Sequence, residues 1–336
     1  MKYLITGHTG FKGSWLVLLL QTLGHSVHGL SLPPEKESLY NILDLKAAMN
    51  SETFSDIRNF GTTKKYFEDV NPEVVIHLAA QALVSESYLN PIETIDTNTV
   101  GTFNVLKAAE NLKNLKCVLN VTTDKVYRID GRTTPYFETD SLGYTDPYGT
   151  SKAAADLIAQ SWIHKDKHYA VGIARAGNVI GGGDFGKFRL IPDIYRSLKT
   201  KIPVEIRHPE SIRPWQFVLD CLNGYLKFVN FMIESKSSDI LNFGPDERDF
   251  KNVDEVIQNF SKYFRELKWL NSSENRFKET SILKLDSSKA RNLLSWKNKY
   301  GLQKNIESTA NWFSAYMQNQ TMKKYSQDII NDFISL

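Results

Sequence analysis

Hydrophobic positions along the first 180 residues switch between two periods. Continuous apolar runs at Tyr3-Thr6, Val27-Leu32, Val74-Ala79, Val118-Thr123 and Val171-Ala176 have the character of strands covered on both faces, because a half-exposed strand would alternate apolar and polar residues. Between them lie stretches with helical spacing. These run from Phe11 to Leu23, stopped by Gly24; Thr62 to Val70, stopped by Asn71-Pro72; Pro91 to Asn111, opened by proline in a first turn; and Tyr148 to His164. Repeated alternation of strand and helix predicts an α/β fold, a doubly wound parallel sheet with right-handed crossovers.

After Gly177 the alternation lapses into a glycine-rich loop and short pieces punctuated by proline, at Pro192, Pro203, Pro209 and Pro214. An amphipathic stretch from Phe217 to Ile233 and a strand-like run from Ile240 to Gly244 then have the pattern to rejoin the sheet. The expected organisation is a dinucleotide-binding unit of residues 1–178 with 216–244, and a smaller, interleaved α/β substrate-binding unit of residues 179–215 with 245–320. The tail from Thr321 onward carries no readable pattern.

Composition narrows the function. Of the 336 residues, 41% are hydrophobic and 24% charged, enough for a packed core without staples. With 41 basic and 38 acidic side chains the net charge is only +3, which rules against a nucleic-acid surface while leaving room for a small anionic ligand. Cys117 and Cys221 lie far apart and outside any metal-type spacing, so both are expected to be reduced and buried. His164 and His168 stand one helical turn apart with no third ligand in view, so no metal is expected. The opening Met1-Lys2-Tyr3-Leu4-Ile5 has no leader pattern, and the longest apolar run, Leu16 to Leu20, is far short of the roughly 20 residues of a membrane span. A cytoplasmic protein without membrane contact is expected.

Candidate chemistry begins with Gly7-His8-Thr9-Gly10-Phe11-Lys12-Gly13, directly after the first strand. Glycines at this spacing let the turn bend sharply, the backbone approach a pyrophosphate and the helix pack on the strand, with N-terminal N–H groups aimed at the anion. The pattern is that of a Rossmann-type dinucleotide site. An acidic residue at the end of the second strand, which would hold a ribose 2′-hydroxyl, is missing: the sequence reads Leu30-Ser31-Leu32-Pro33-Pro34. Local chemistry therefore leaves NAD and NADP both open.

Tyr148 and Lys152 share a helix face four residues apart. At that spacing a lysine cation can lower the tyrosine pKa and hold a nicotinamide ribose, so that the phenolate serves as base at a carbinol. Thr122-Thr123-Asp124-Lys125 follows a strand and faces the same C-terminal crevice of the sheet, where ligands of open α/β folds bind.

These motifs, with His77-Leu78-Ala79-Ala80-Gln81 and Thr97-Asn98, resemble the extended short-chain dehydrogenase/reductase family, also described as NAD-dependent epimerases and dehydratases. Within it, Thr123-Asp124 ahead of the Tyr-Lys pair is similar to the nucleotide-sugar 4,6-dehydratases. Lys125 in place of the usual glutamate looks like the branch that acts on CDP-glucose. Ser14-Trp15, Ser55-Asp56-Ile57-Arg58, Arg175-Ala176-Gly177-Asn178-Val179-Ile180-Gly181-Gly182-Gly183-Asp184 and Arg213-Pro214-Trp215-Gln216 agree, and the resemblance runs to about Phe313. Three positions depart from that branch: Val126 for cysteine, Gly149 for serine and Ser85 for arginine.

The resemblance implies NAD as cofactor, held by Gly7, Thr9, Gly10, Phe11, Lys12, Gly13, Asp56, Ile57, Leu78, Ala79, Ala80, Gln81, Thr97, Thr122, Tyr148 and Lys152. It implies a nucleotide-sugar substrate, CDP-glucose, whose phosphates and sugar meet Asn178, Arg189, Arg207 and Arg213, arginine being suited to grip phosphate oxygens bidentately. Catalysis would rest on Tyr148 as base at the C4 hydroxyl, supported by Lys152 and Thr123, and on Asp124 as acid for the departing C6 hydroxyl. Lys125 would either stabilise the enolate or take the C5 proton, and the sequence does not choose. The resemblance further implies a homodimer built on the helices Pro91 to Asn111 and Tyr148 to His164, with Val105, Leu106 and Leu157 between subunits, and a product destined for O-antigen or related polysaccharide. Two rivals stand beside this reading. An epimerase would share the glycine loop and Tyr-Lys pair without needing Asp124, and a non-catalytic dinucleotide binder would have no need of Thr123, Asp124, Tyr148 and Lys152.

Overall fold

The computed structural model describes residues 1–164, 167–272 and 282–336. Its strands in chain order are β1 (Lys2–Thr6), β2 (Ser26–Ser31), β3 (Ser51–Phe54), β4 (Val74–His77), β5 (Cys117–Thr123), β6 (Ala170–Ala176), β7 (Val179–Ile180), β8 (Val204–Ile206), β9 (Ile212–Pro214), β10 (Gln216–Phe217), β11 (Asp239–Phe243), β12 (Phe250–Asn252) and β13 (Trp269–Asn271). Seven of them form one sheet in the order β11-β6-β5-β4-β1-β2-β3. Every pairing within it is parallel. Strand order reverses between β1 and β4, and a crevice opens at that point beyond the strands' carboxyl ends, where an open α/β sheet receives its ligand.

Alternate residues of the central strands feed two separate cores. Tyr3, Ile5, Val74, Ile76, Leu119 and Val121 pack on one face with Trp15, Leu16, Val218 and Phe228. Leu4, Val75 and Val118 pack on the other with Phe67, Leu106, Trp162 and Val171. Burial on both sides explains why these strands read as continuous apolar runs. The strand missed in the sequence, β3, lies at the sheet edge and has no fully buried residue, so it carries no such run.

The predicted helices form at Phe11–Thr22, Phe60–Val70, Pro147–Ile163 and Val218–Ser235. The expected helix from Pro91 is interrupted. It runs as Pro91–Ile95, then a wider turn at Asp96–Val100 with i to i+5 bonding, then Gly101–Ala109. Val105 and Leu106 are wholly buried within the chain's own core, which corrects their assignment to a subunit interface: helix-face position alone does not say which neighbour covers it.

The run expected from Ile240 to Gly244 joins the main sheet as β11, beside β6. Short pairs lie outside it: β7 with β10 and β8 with β13, both parallel, and β9 with β12, antiparallel. The segment expected to complete the second unit, 245–320, includes residues 273–281, which lie outside the described residues. The tail that carried no pattern forms a helix, Met322–Ser335. Met322, Ile330 and Phe333 join the first core, and Trp312 Nε1 donates to Ser326 Oγ at 2.9 Å. Among the described residues no helix is long and apolar enough to cross a membrane, and both cysteines are free and buried.

Candidate active site

Two cavities share a wall above the carboxyl ends of β1, β4 and β5. The first, about 400 Å³, is lined by Gly7, Thr9, Gly10, Phe11, Lys12, Gly13, Asp56, Ile57, Leu78, Ala79, Ala80, Gln81, Thr97, Thr122, Tyr148 and Lys152. Every residue expected around a dinucleotide lies on it. The glycine turn shows why those positions are glycine. Gly7 has φ +76°, and a Cβ there would meet the Ala79 backbone at 2.7 Å, while one at Gly13 would stand 2.2 Å from the Gly7 carbonyl oxygen. A Cβ at Gly10 would touch only the Gly7 carbonyl oxygen, at 3.4 Å. Space at Gly10 therefore belongs to whatever approaches the helix N-terminus, and a pyrophosphate fits it in shape and charge.

At the end of β2, hydroxyls stand in place of an acid: Thr9 bonds Ser31, and Thr9 Oγ1 donates to the Leu32 carbonyl at 3.0 Å. Ser31, Leu32 and Arg58 also line this cavity. Arg58, which the strand-end rule does not foresee, enters from beyond β3 and is held by Asp56, with Nε donating to Oδ2 at 2.9 Å. His77 in the expected motif is a structural post. It is 2% exposed and contacts Thr6 Oγ1 at 2.6 Å and Thr102 Oγ1 at 3.1 Å, and burial holds its pKa down to about 3.

The second cavity, about 320 Å³, is lined by Thr122, Thr123, Asp124, Lys125, Tyr148, Asn178, Arg189, Arg207 and Arg213. All expected catalytic and substrate residues except Lys152 thus face it, and Lys152 lines the adjoining cavity. Thr123 Oγ1 donates to Asp124 Oδ1 at 2.9 Å. Asp124 is 3% exposed, and its Oδ2 is buried with no hydrogen-bond partner among the described residues. Burial raises its pKa above the usual carboxylate range, against the pull of Thr123, Lys125 and Arg213. The carboxyl is biased toward the protonated form, which can donate.

The Tyr-Lys pair differs from its expected electrostatics. Lys152 Nζ donates to the Val121 carbonyl at 2.9 Å, and burial with nearby Lys12 holds its pKa down to about 8. Tyr148 is pushed up to about 12 by burial, with Thr123 pulling the other way. Among the protein's own groups, desolvation outweighs any help from Lys152, so ionising the phenol needs further positive charge at the site.

Two of the three departures have a structural reason. Val126 is buried in a small core with Tyr127, Tyr136, Ala153, Leu283 and Leu285, away from the cavity. A Cβ at Gly149 would stand 2.5 Å from the Tyr144 ring and its Cβ, so glycine makes room for Tyr144, over which Lys125 Nζ sits 5.7 Å from the ring centre. Ser85 is 5% exposed on the cavity wall, and nothing in the structure explains its replacing arginine.

A second acidic group lies under the same strand end and was not foreseen. Asp156 accepts from Thr122 Oγ1 at 3.0 Å and from Arg175 Nε and Nη2, each at 2.8 Å. Arg175 also donates to Tyr127 and to the Glu138 carbonyl. The only trace in sequence was an arginine inside a buried strand, a position that requires a partner.

Comparison with known proteins gives the family. The chain matches the family described as GDP-mannose 4,6 dehydratase over residues 4–309. It is 39% identical, over 99% of its length and 96% of the relative's, to the CDP-glucose 4,6-dehydratase of Salmonella typhimurium. It is 26% identical to a probable dTDP-glucose 4,6-dehydratase of Sinorhizobium fredii, over 93% of each chain. Among solved structures, the UDP-glucose-4-epimerase of Stenotrophomonas maltophila, with bound NAD and formylated UDP-arabinopyranose, shares the fold at TM-score 0.84 and 20% identity, covering 95% of this chain and 99% of that one. The dTDP-glucose 4,6-dehydratase of Bacillus anthracis, in complex with NAD, does so at TM-score 0.79 and 20% identity, covering 95% and 98%. With a family match that spans residues 4–309 and the glycine turn, Thr-Asp strand end and Tyr-Lys helix around one crevice, the chain belongs to the GDP-mannose 4,6 dehydratase family.

Proposed function

We propose that this protein is an NAD-dependent hydro-lyase that converts CDP-D-glucose to CDP-4-dehydro-6-deoxy-D-glucose and water. The observation that carries the reading is Asp124: a buried carboxyl with one unpartnered oxygen and a raised pKa, one residue from Thr123 on the wall shared with Tyr148. An epimerase would have no use for a neutral acid there. NAD, when bound, supplies a hydride acceptor that later returns the hydride, and its oxidised ring adds the positive charge that Tyr148 lacks. Tyr148 takes the C4 hydroxyl proton, with Thr123 sharing the hydrogen bond. Lys152 and the glycine turn orient the cofactor's ribose and phosphates. Asp124 gives its proton to the C6 hydroxyl as it leaves. Lys125, on the same cavity wall with its amine over the Tyr144 ring, takes the C5 proton as the C6 hydroxyl leaves and gives it back to C5 when hydride returns to C6. Asn178, Arg189 and Arg213 surround the phosphates and sugar, with Arg207 on the same cavity wall. The choice of cytidine rests on the Salmonella relative and on Lys125.

Purified protein incubated with CDP-, dTDP-, GDP- and UDP-glucose should form the 4-keto product from CDP-glucose with no net consumption of NAD. Turnover of another nucleotide sugar in its place, or stoichiometric accumulation of reduced nicotinamide, would overturn the assignment.

We further infer a cytoplasmic homodimer. Ile92, Ile95, Val100 and Phe103 are exposed on the segment 91–109, and Leu157 is exposed on the helix Pro147–Ile163, an apolar face that a second copy would cover. A monomer by light scattering at micromolar concentration would sink this inference.

A further inference from the structure

Seven residues other than glycine have positive φ among those described: Asp44, Asn71, Phe188, Lys201, Lys236, Ser295 and Asn319. Six lie within two residues of the end of a helix, where the left-handed conformation closes the last turn. Phe188, at φ +58°, does not. It precedes the helix Leu190–Thr200 by two residues, and a ring-bearing side chain is poorly suited to that region of backbone space. Its ring is also not packed away: it is 55% exposed on the wall of the second cavity. One hydrogen bond holds this backbone directly: Arg207 Nη2 donates to the Phe188 carbonyl at 3.1 Å. The following side chain is tied down as well, Arg189 Nη1 donating to Asp184 Oδ2 at 2.9 Å. The Arg207 guanidinium lies 5.8 Å from the ring centre, covering one side of the ring. An apolar ring held at a conformational cost, exposed at a cavity and backed by a cation is arranged to receive a flat partner. Strain that serves no helix end points to function.

We propose that Phe188 is the stacking platform for the nucleobase of the substrate, with Arg207 fixing the ring from behind. The proposal rests on the nucleotide-sugar reading, yet it requires only a base, not cytosine, and it assigns Phe188 to affinity rather than chemistry. Arg189 and Arg213, on the same cavity, leave the diphosphate to be gripped apart from the base.

The test is titration of the NAD-loaded enzyme with CDP, UDP and dTDP, and with inorganic pyrophosphate as a probe that has no base. Phe188→Leu keeps an apolar side chain and loses the aromatic face; it should weaken nucleoside diphosphate binding about tenfold or more and leave pyrophosphate binding unchanged. Phe188→Trp should restore the affinity and show fluorescence quenching as nucleotide binds. With the preferred nucleotide sugar, Phe188→Leu should raise KM far more than it lowers kcat. A structural ring would instead lower Tm and weaken both probes alike. Unchanged nucleotide affinity in Phe188→Leu, or no quenching in Phe188→Trp, would overturn the proposal. If CDP-glucose is not turned over but another nucleotide sugar is, the substrate assignment fails while the stacking test still reads out on that nucleotide.

Discussion

Two aspartates lie under the end of β5, each bonded to a neighbouring threonine, and they are built for opposite work. Thr122 donates to Asp156 and Thr123 donates to Asp124. Both threonines line the cavities, but their hydroxyls part: Thr122 turns to a carboxylate on the helix behind the strand, and Thr123 to the carboxyl beside it on the cavity wall. Asp156 is 0% exposed, and Arg175 satisfies both of its oxygens, so its charge is matched. Asp124 is almost as deeply buried but keeps one oxygen unpartnered, so burial drives it toward the neutral acid. Burial alone does not define a catalytic carboxylate. What the second oxygen touches decides whether the group braces the site or gives up a proton.

Breaking the matched pair should have the largest effect. Asp156→Asn strands a buried guanidinium and should cost about 3–5 kcal/mol in urea unfolding, whereas Arg132→Gln, which breaks the more exposed contacts to Asp130 and Asp140, should cost far less, because solvent screens them. If the two losses were equal, the bracing role of Asp156 would be wrong.

Asp124→Asn should invert that outcome. Turnover should fall on the order of 10²-fold or more, as for loss of a positioned acid, with absorbance of reduced nicotinamide building up under excess substrate. Tyr148→Phe should be slow without that build-up, since its block comes earlier. Stability should hold or improve. A carboxyl whose folded-state pKa is raised loses its stabilising contribution as pH rises through that pKa, and asparagine removes the loss. Near-normal turnover would sink the acid role and reopen the epimerase reading.

The smallest effect sharpens the electrostatics. Asp124 must be protonated to act, so kcat should fall as pH rises through its raised pKa. Arg213 and Lys125 both hold that pKa down. Arg213→Gln should therefore move the alkaline limb of kcat to higher pH, and a limb that stayed in place or moved lower would remove Arg213 from the balance.

Much of this protein was legible in its sequence because the informative parts are contiguous. The glycine turn joins β1 directly to its helix, Thr123-Asp124 ends a buried strand, and Tyr148 and Lys152 are one turn apart. Local chain geometry alone brings each motif together, and two-sided burial prints the sheet as apolar runs. Other features depend on which distant surface arrives opposite. The edge strand β3, the interrupted helix after Pro91, the inward turn of Val105 and Leu106 and the packed helix Met322–Ser335 carry no local pattern that fixes them. The same holds for electrostatics: residue spacing suggested that Lys152 lowers the Tyr148 pKa, but the depth at which the fold buries both groups raises it. Sequence determined which groups are present and how neighbours along the chain are arranged. Only the tertiary structure decided which of them are dry, which are paired and which face the cavity, because desolvation and partnership are properties of surfaces brought together from far apart in the chain.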